Sequence, residues 1–327
     1  MMRAPLFWYR PRGFKARALA PLAAIWSAAT KRRLRNGAWE KLPVPVVCVG
    51  NINAGGTGKT PSIIALLGLF GEAGITAHVV SRGYGGTLEG PVRVDERVHG
   101  AGDVGDEPLQ ISTFGPCWVA KDRVAGARAA IADGAQVILL DDGFQNPALA
   151  KDLDIVVVDA EVGFGNGCVM PAGPLREPVA AGLARADVVL SIGPERAQKR
   201  LEQDWPQITA LPRWKAQLQP LEMGMDWGDM RCVAFAGIGR PGKFFASLER
   251  EGATLVASHA FPDHEPYSEA VLQRLKAEAD AKGAQLVTTE KDVARLPDHF
   301  KPEVLAFPVR LVFEDADAVR ARLRELV

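Results

Sequence analysis

Cysteine is scarce: four in 327 residues, widely separated and with no C-x-x-C pair, which leaves neither a disulfide framework nor a cysteine-built metal site to read. Cys48, Cys117, Cys168 and Cys232 stand mostly in apolar surroundings, where a thiol serves as a small hydrophobe, and a reduced chain is the expectation. No apolar run approaches the roughly 20 residues that span a bilayer. The mildly apolar segment ALAPLAAIWSAAT (18–30) holds a proline and lacks a good cleavage signature. The sequence therefore predicts a protein that is neither secreted nor transmembrane. Net charge is absent too, with Lys plus Arg and Asp plus Glu at 39 each, so no overall basic excess points to nucleic acid. Internal repeats and low-complexity tracts are also missing. What is present is 47% apolar content, enough for one large or two modest globular domains with their own cores.

The balanced charge is unevenly spread. Residues 1–41 hold ten Lys or Arg (Arg3, Arg10, Arg12, Lys15, Arg17, Lys31, Arg32, Arg33, Arg35 and Lys41) against the single acid Glu40. Leu6, Phe7, Trp8, Tyr9, Phe14, Leu19, Leu22, Ile25 and Trp26 are interleaved with these cations. A helix lying in a membrane interface would use such a mixture, aromatics at headgroup depth and cations on anionic lipid. A helix packed on the domain with a solvated basic face would use it equally well, and both readings stay open here.

From residue 44 onward short apolar runs alternate with helical periods: VPVVCVG, a helix to about Gly71, ITAHVVSR, a helix near 121–132, AQVILLDD, LDIVVVDA and ADVVLSIG. Runs of this kind read as parallel strands covered on both faces, so the fold class is α/β. Between 203 and 230 the pattern loosens, with Trp205, Pro206, Pro212, Trp214, Pro220 and Trp227 among polar residues, before RCVAFAGIG restarts it. The expected organisation is a basic amphipathic segment (1–35), a P-loop NTPase-type domain (36–215) with a parallel sheet flanked by helices, and a smaller α/β domain (216–327). The smaller domain is expected to include a final strand and helix after 303.

The stretch VGNINAGGTGKTP (49–61) carries the chemistry. A buried strand leads through a glycine-rich turn into a helix, so that backbone N–H groups and the helix dipole face a phosphate. The nucleotide-binding residues expected are Asn53, Ala54, Gly55, Gly56, Thr57, Gly58, Lys59 and Thr60. Lys59 is placed on the β- and γ-phosphates and the Thr60 hydroxyl on Mg²⁺. Asn53 stands where the general P-loop pattern has its first glycine. That position opens the loop and need not touch phosphate. A carboxylate at the end of a neighbouring buried strand should meet the metal. VILLDDGFQ supplies Asp141 and Asp142, and paired acids at a strand end are costly without a cation. IVVVDA supplies the alternative, Asp159, whose other reading is a strand-end cap. The N-K-x-D or T-K-x-D string of a GTPase is missing, its nearest text being TTEKD (288–292) with the Lys displaced by one. ATP with Mg²⁺ is the cofactor expected.

Several further strings occur in order with the P-loop: SRGYGG (81–86), VGDEP (104–108), LDDGFQ (140–145), VMPAGPLREP (169–178), AFAGIGRP (234–241), FPDHEPY (261–267) and VTTEKD (287–292). Together, over roughly residues 40–295, they resemble the motif series of the tetraacyldisaccharide 4'-kinases, Gram-negative enzymes that phosphorylate the lipid A precursor. Two positions depart from it, Asn146 and Glu265, where the family often carries histidine, and the roles of those histidines do not transfer.

The resemblance implies a bisubstrate kinase acting on a membrane-borne glycolipid, with the smaller domain closing over Mg-ATP. It implies peripheral attachment to the cytoplasmic face of the inner membrane and no obligatory protein partner. It nominates Asp106 as the base for the acceptor hydroxyl, paired with His264 from the second domain, and adds Glu107 to the metal set and Gln145 to the nucleotide site. Asp106 also reads as a helix N-cap and His264 as a surface-loop histidine. Arg82 and Tyr84, with Gly83, Gly85 and Gly86 letting the backbone pass close to a ligand, and Arg176, as a planar guanidinium, are candidates for the acceptor and its existing phosphate. Either arginine would serve equally to anchor a loop carboxylate, and Arg123 is a weaker candidate. Two rivals are a membrane-recruited P-loop ATPase switch, which usually has Lys where this loop has Ala54, and a soluble small-molecule kinase or ligase.

Overall fold

The computed structural model describes residues 4–222, 224–262 and 266–327. In chain order the elements are α1 (Phe14–Arg35), β1 (Val46–Gly50), α2 (Lys59–Glu72), β2 (Ala77–Ser81), β3 (Val92–Arg93), α3 (Ala101–Val104), α4 (Asp106–Ser112), β4 (Cys117–Val119), α5 (Arg123–Ala132), β5 (Val137–Asp141), β6 (Leu153–Asp159), α6 (Val179–Leu183), β7 (Val188–Ile192), α7 (Glu195–Asp204) and β8 (Arg213–Pro220). There follow β9 (Arg231–Ala236), α8 (Pro241–Arg250), β10 (Thr254–Ala260), α9 (Glu269–Ala281), β11 (Gln285–Thr289), α10 (Glu290–Val293), β12 (Leu305–Phe307), β13 (Val309–Phe313) and α11 (Ala316–Arg324).

Nine strands form one sheet in the order β13-β8-β7-β6-β1-β5-β2-β4-β3. Its interior pairings are parallel, and only the edge strands β13 and β3 run antiparallel to their neighbours. β1, β2, β5 and β7 are buried at every residue, as expected of strands covered on both faces. Because successive side chains point to opposite faces, β1 divides its residues between two cores. Val47 and Val49 pack with Ile63, Leu66 and Phe70 of α2. Val46 and Cys48 pack on the other face with Phe144, Phe164 and Leu183. The α/β class and the P-loop-type parallel sheet flanked by helices are therefore as the sequence predicts.

A second sheet, β10-β9-β11-β12, is parallel throughout. Val233 and Phe235 of β9 meet Leu272 and Leu275 of α9 on one face, while Cys232, Ala234 and Ala236 meet Phe244 and Leu248 of α8 on the other. The last strand and helix do not join this sheet. LAFPVRLVF is divided at Pro308, with β12 before it on the small sheet and β13 after it on the large one, from Val309 against Pro220 to Phe313 against Ala216. Phe313 meets Trp214 edge to face at 6.2 Å, and Val319 and Leu323 of α11 enter the same core as Val47 and Val49. The chain thus closes on the unit it started from.

α1 touches the large unit through a narrow stripe. Ala16, Ala23 and Thr30, seven residues apart, are its buried positions. Trp8 Nε1 donates to Pro171 O (3.1 Å), Arg12 Nε to Asn166 O (3.0 Å) and Trp26 Nε1 to Arg176 O (3.1 Å). Leu6 and Tyr9 ahead of α1, and Phe14, Leu22 and Ile25 on it, are exposed, Phe14 at 85% and Ile25 at 68%. Among the described residues no helix is long and apolar enough to cross a membrane.

Candidate active site

The P-loop lies at the carboxyl end of β1, a central strand of the large sheet, where an open α/β sheet presents its ligand crevice. Asn51, fully buried, holds the loop in shape by donating from Nδ2 to Gly55 O (3.2 Å) and Thr57 Oγ1 (3.0 Å). Gly55 and Gly58 take left-handed φ values of +112° and +98°. A Cβ added at Gly55 or Gly56 would meet no protein atom within 4 Å, so the cradle these residues form opens onto free space. Asn53 and Ala54 brace the loop from outside: Asn53 Nδ2 donates to Gly163 O (3.0 Å) and the Ala54 N–H to Pro174 O (2.6 Å). The backbone N–H groups of residues 55–60 follow directly on this braced stretch. Lys59 and Thr60 open α2, with Thr60 buried.

Asp141 ends β5 and Asp142 follows it, beside this loop. Ser81 Oγ donates to Asp141 Oδ2 (2.7 Å), while Asp141 Oδ1 is buried without a hydrogen-bond partner. Burial, followed by the nearby charges of Glu107 and Asp142, pushes the Asp141 carboxyl up to about 6. Burial also opposes ionisation of Asp142, but Lys59 and Arg176 outweigh it and hold that carboxyl down at about 2. Asp142 Oδ1 lies 3.7 Å from Lys59 Nζ and accepts from Arg176 Nη1 at 2.7 Å. The residue turns at φ +49°, a left-handed conformation that Asp tolerates, and Arg123 fixes the turn by donating Nη2 to the carbonyls of Asp141 and Asp142 at 3.1 Å each. Arg123 is thus a buried brace, not a ligand group at the rim.

The donor set suits a hard divalent cation: an orphaned carboxylate oxygen on Asp141, a second carboxylate on Asp142 and the Thr60 hydroxyl. Among the described residues no three His, Cys, Asp or Glu converge as a ready-made metal cage. Asp159 is engaged elsewhere. Its carboxylate takes Arg240 (2.6 Å) and Lys243 (2.9 Å) of the second unit and caps the Glu161 N–H (3.0 Å), so it follows the capping reading and adds an ion pair between the two sheets.

Gln145 and Arg176 form a bridge around the acids. Gln145 Nε2 donates to Asn51 O (2.8 Å) and Glu177 Oε1 (3.0 Å), and Gln145 Oε1 accepts from Arg176 (3.2 Å). Arg176 thereby takes the carboxylate-anchoring role that was its alternative. Glu177, not singled out in the sequence, is buried and clamps Arg185 through two bonds of 2.6 and 2.7 Å. Its only signal was its place in LREP beside Arg176.

Asp106 is the first residue of α4, with Gly105 at the cap. It is buried at 6% exposure, and Oδ1 accepts the Glu107 N–H (3.1 Å). His264, its expected partner, lies outside the described residues. Lys291 of α10 reaches in from the second unit, with Nζ 3.7 Å from Asp106 Oδ2 and 3.4 Å from Glu107 Oε1. Arg82 and Tyr84 stand exposed at the rim. The glycines around them serve close backbone packing: a Cβ on Gly86 would sit 2.5 Å from Asp103 O, and one on Gly105 2.5 Å from Tyr84 O. They press SRGYGG onto VGDEP and thereby seat Asp106.

Residues 15–327 match the profile of the family described as "Tetraacyldisaccharide-1-P 4'-kinase". The "Tetraacyldisaccharide 4'-kinase" of Dinoroseobacter shibae is 58% identical over 99% of this chain and 98% of its own. The protein of the same name from Jannaschia sp. is 55% identical over 96% of each chain. A crystal structure from Aquifex aeolicus, an "apo" form of the same family in complex with ATP, shares the fold at a TM-score of 0.74 with 24% identity, covering 95% of this chain and 99% of that one. The chain belongs to the tetraacyldisaccharide-1-phosphate 4'-kinase family.

Proposed function

We infer that the protein is a kinase of lipid A biosynthesis that transfers the γ-phosphate of ATP to the 4'-hydroxyl of a tetraacyldisaccharide 1-phosphate, giving the 1,4'-bisphosphate. The observation that carries this is the convergence of the open glycine cradle, Lys59 and the Asp141–Asp142 pair at one strand edge, with the Asp106–Glu107 carboxylates beside them. Such a site does little covalent chemistry and works by placement and charge neutralisation.

Asp141, Asp142 and Thr60 are the residues that would hold Mg²⁺, with Glu107 within electrostatic reach of Asp141. The ion would neutralise phosphate charge. Lys59 serves the same end from the P-loop and stabilises the charge that gathers on the transferring group. Asp106 accepts the 4'-hydroxyl proton as the oxygen bonds to the γ-phosphorus and the bond from that phosphorus to the β–γ bridging oxygen breaks, leaving ADP. His264 is assigned to orient Asp106 or take up its proton. Arg82 and Tyr84, exposed on the rim, are the groups assigned to the acceptor.

The N-terminal segment supports attachment to the cytoplasmic face of the inner membrane as a peripheral protein. Its outward side pairs exposed Leu6, Phe14, Leu22 and Ile25 with Lys15, Arg17 and a final helical turn holding Arg32, Arg33 and Arg35, the combination that seats a helix in an anionic interface. Incubating the purified chain with Mg-ATP and the tetraacylated disaccharide 1-phosphate tests the reaction. Gain of one phosphoryl group on the lipid, seen by mass and lost in Lys59→Ala, is the expected result. ATP turnover with no phosphorylated lipid would favour the ATPase-switch reading.

A further inference from the structure

The TTEKD string has no part in the mechanism above, yet its lysine enters the site from the second unit. We propose that Lys291 is a positioning residue for phosphoryl transfer, docking the small sheet on the Asp106–Glu107 pair and fixing both carboxylates in their working orientation. This rests on the reading of Asp106 as the base.

Three observations support it. First, Lys291 Nζ lies within ion-pair distance of two carboxylates at once, 3.7 Å from Asp106 and 3.4 Å from Glu107, with only 19% of its side chain exposed. Second, its own element is anchored by bonds on either side. Asp292, fully buried, accepts from the Gly237 N–H (3.0 Å), the Tyr267 hydroxyl (2.7 Å) and Thr289 Oγ1 (2.6 Å), and it pairs with Arg295. Glu290 is held by Arg310 through bonds of 2.6 and 3.0 Å, and that guanidinium lies 4.8 Å from the centre of the Phe114 ring, just beyond α4. The residues before and after Lys291 are therefore locked, and the ammonium is aimed at α4. Third, Glu107 acts electrostatically on Asp141, so the carboxylates that Lys291 holds stand within electrostatic reach of the strand-end acid beside the P-loop.

A cation at this point offsets the repulsion among Asp106, Glu107 and Asp141 and ties the orientation of the base to the docking of the second unit. A misplacement of about 1 Å at a reacting group is enough to cost on the order of 100-fold in rate.

The test uses the full chain with Mg-ATP and detergent-dispersed tetraacylated disaccharide 1-phosphate, comparing wild type with Lys291→Met, Lys291→Arg and Asp106→Asn. Lys291→Met should lower kcat by roughly 10- to 100-fold while ATP affinity stays within about twofold, and Lys291→Arg should recover part of the loss. Unfolding temperature is followed in parallel, so that a general loss of stability is seen separately. Full activity in Lys291→Met, or Lys291→Arg as slow as Lys291→Met, overturns the proposal, as does a loss of ATP affinity that matches the loss of rate. Wild-type turnover by Asp106→Asn would remove the assignment of the base itself. A slow Asp106→Asn with a fast Lys291→Met would remove only the role of Lys291.

Discussion

Replacing Asp141 by Asn should stabilise the metal-free protein while silencing it. The Asp141 carboxyl titrates at about 6 in the folded chain against 3.8 in the free residue, raised first by burial and then by Glu107 and Asp142. A carboxyl raised in this way favours the fold fully below about pH 4, and that contribution is lost as pH rises towards 6 and the buried group must ionise. The difference is about 2 units, equivalent to about 3 kcal/mol of strain carried at neutral pH. Asparagine is nearly isosteric, keeps an acceptor for Ser81 and carries no charge. In chelator-treated protein, urea unfolding of Asp141→Asn against wild type should therefore show little difference near pH 4 and a gain on the order of 2 to 3 kcal/mol by pH 7.5. Saturating Mg²⁺ with a non-hydrolysable ATP analogue should stabilise wild type more than the variant, because bound ligand adds to the folded state alone. An Asp141→Asn protein less stable than wild type at pH 7.5 without metal would refute the reasoning, since the acid would then be satisfied by the protein itself.

The ion pairs between the two sheets make a second case. Asp159→Asn and Arg240→Met should each destabilise the chain, and a double-mutant cycle should return a coupling of about 1 to 2 kcal/mol, moderated by the partial exposure of the cations. Additive losses would show that Asp159 and Arg240 are neighbours without being partners. At the other end of the chain, Phe14→Glu with Ile25→Glu should weaken binding to anionic liposomes with little effect on ATP affinity, because both side chains are exposed and touch no core. Unchanged liposome binding would leave α1 a packed helix alone. Glu177→Gln should lower activity by loosening the Gln145 bridge to the P-loop, measurable as a raised KM for ATP, and an unchanged KM would confine Glu177 to holding Arg185.

The large sheet was legible because its central strands are short, largely apolar runs buried on both faces, and the P-loop because its chemistry is confined to a dozen consecutive residues. What the sequence hid was long-range. Asn53 and Ala54 fit a phosphate loop by position, and what the sequence did not show is that the Asn53 side-chain N–H and the Ala54 backbone N–H are bonded to Gly163 and Pro174, more than 100 residues away. Arg176 offers a guanidinium to an anion, and in the fold it pairs with Asp142. The glycines of SRGYGG signal close approach correctly, but local pattern carries no information on what approaches, which is the α3–α4 turn. The return of β13 to the large sheet depends on Phe313 meeting Trp214 across a hundred residues, with Pro308 the one local mark of the change. Lys291 was visible as a displaced letter in a nucleotide-reading string and as part of the VTTEKD motif, neither of which says what its ammonium meets.

At the centre of the proposed reaction, cleavage of the β–γ phosphoanhydride is coupled to phosphoryl transfer onto one acceptor hydroxyl. The direct measurement follows ADP release and lipid bisphosphate together, with the natural acceptor and with one lacking the 4'-hydroxyl. One ADP for each bisphosphate is expected with the first and almost none of either with the second. Equal ADP release with both acceptors would contradict it.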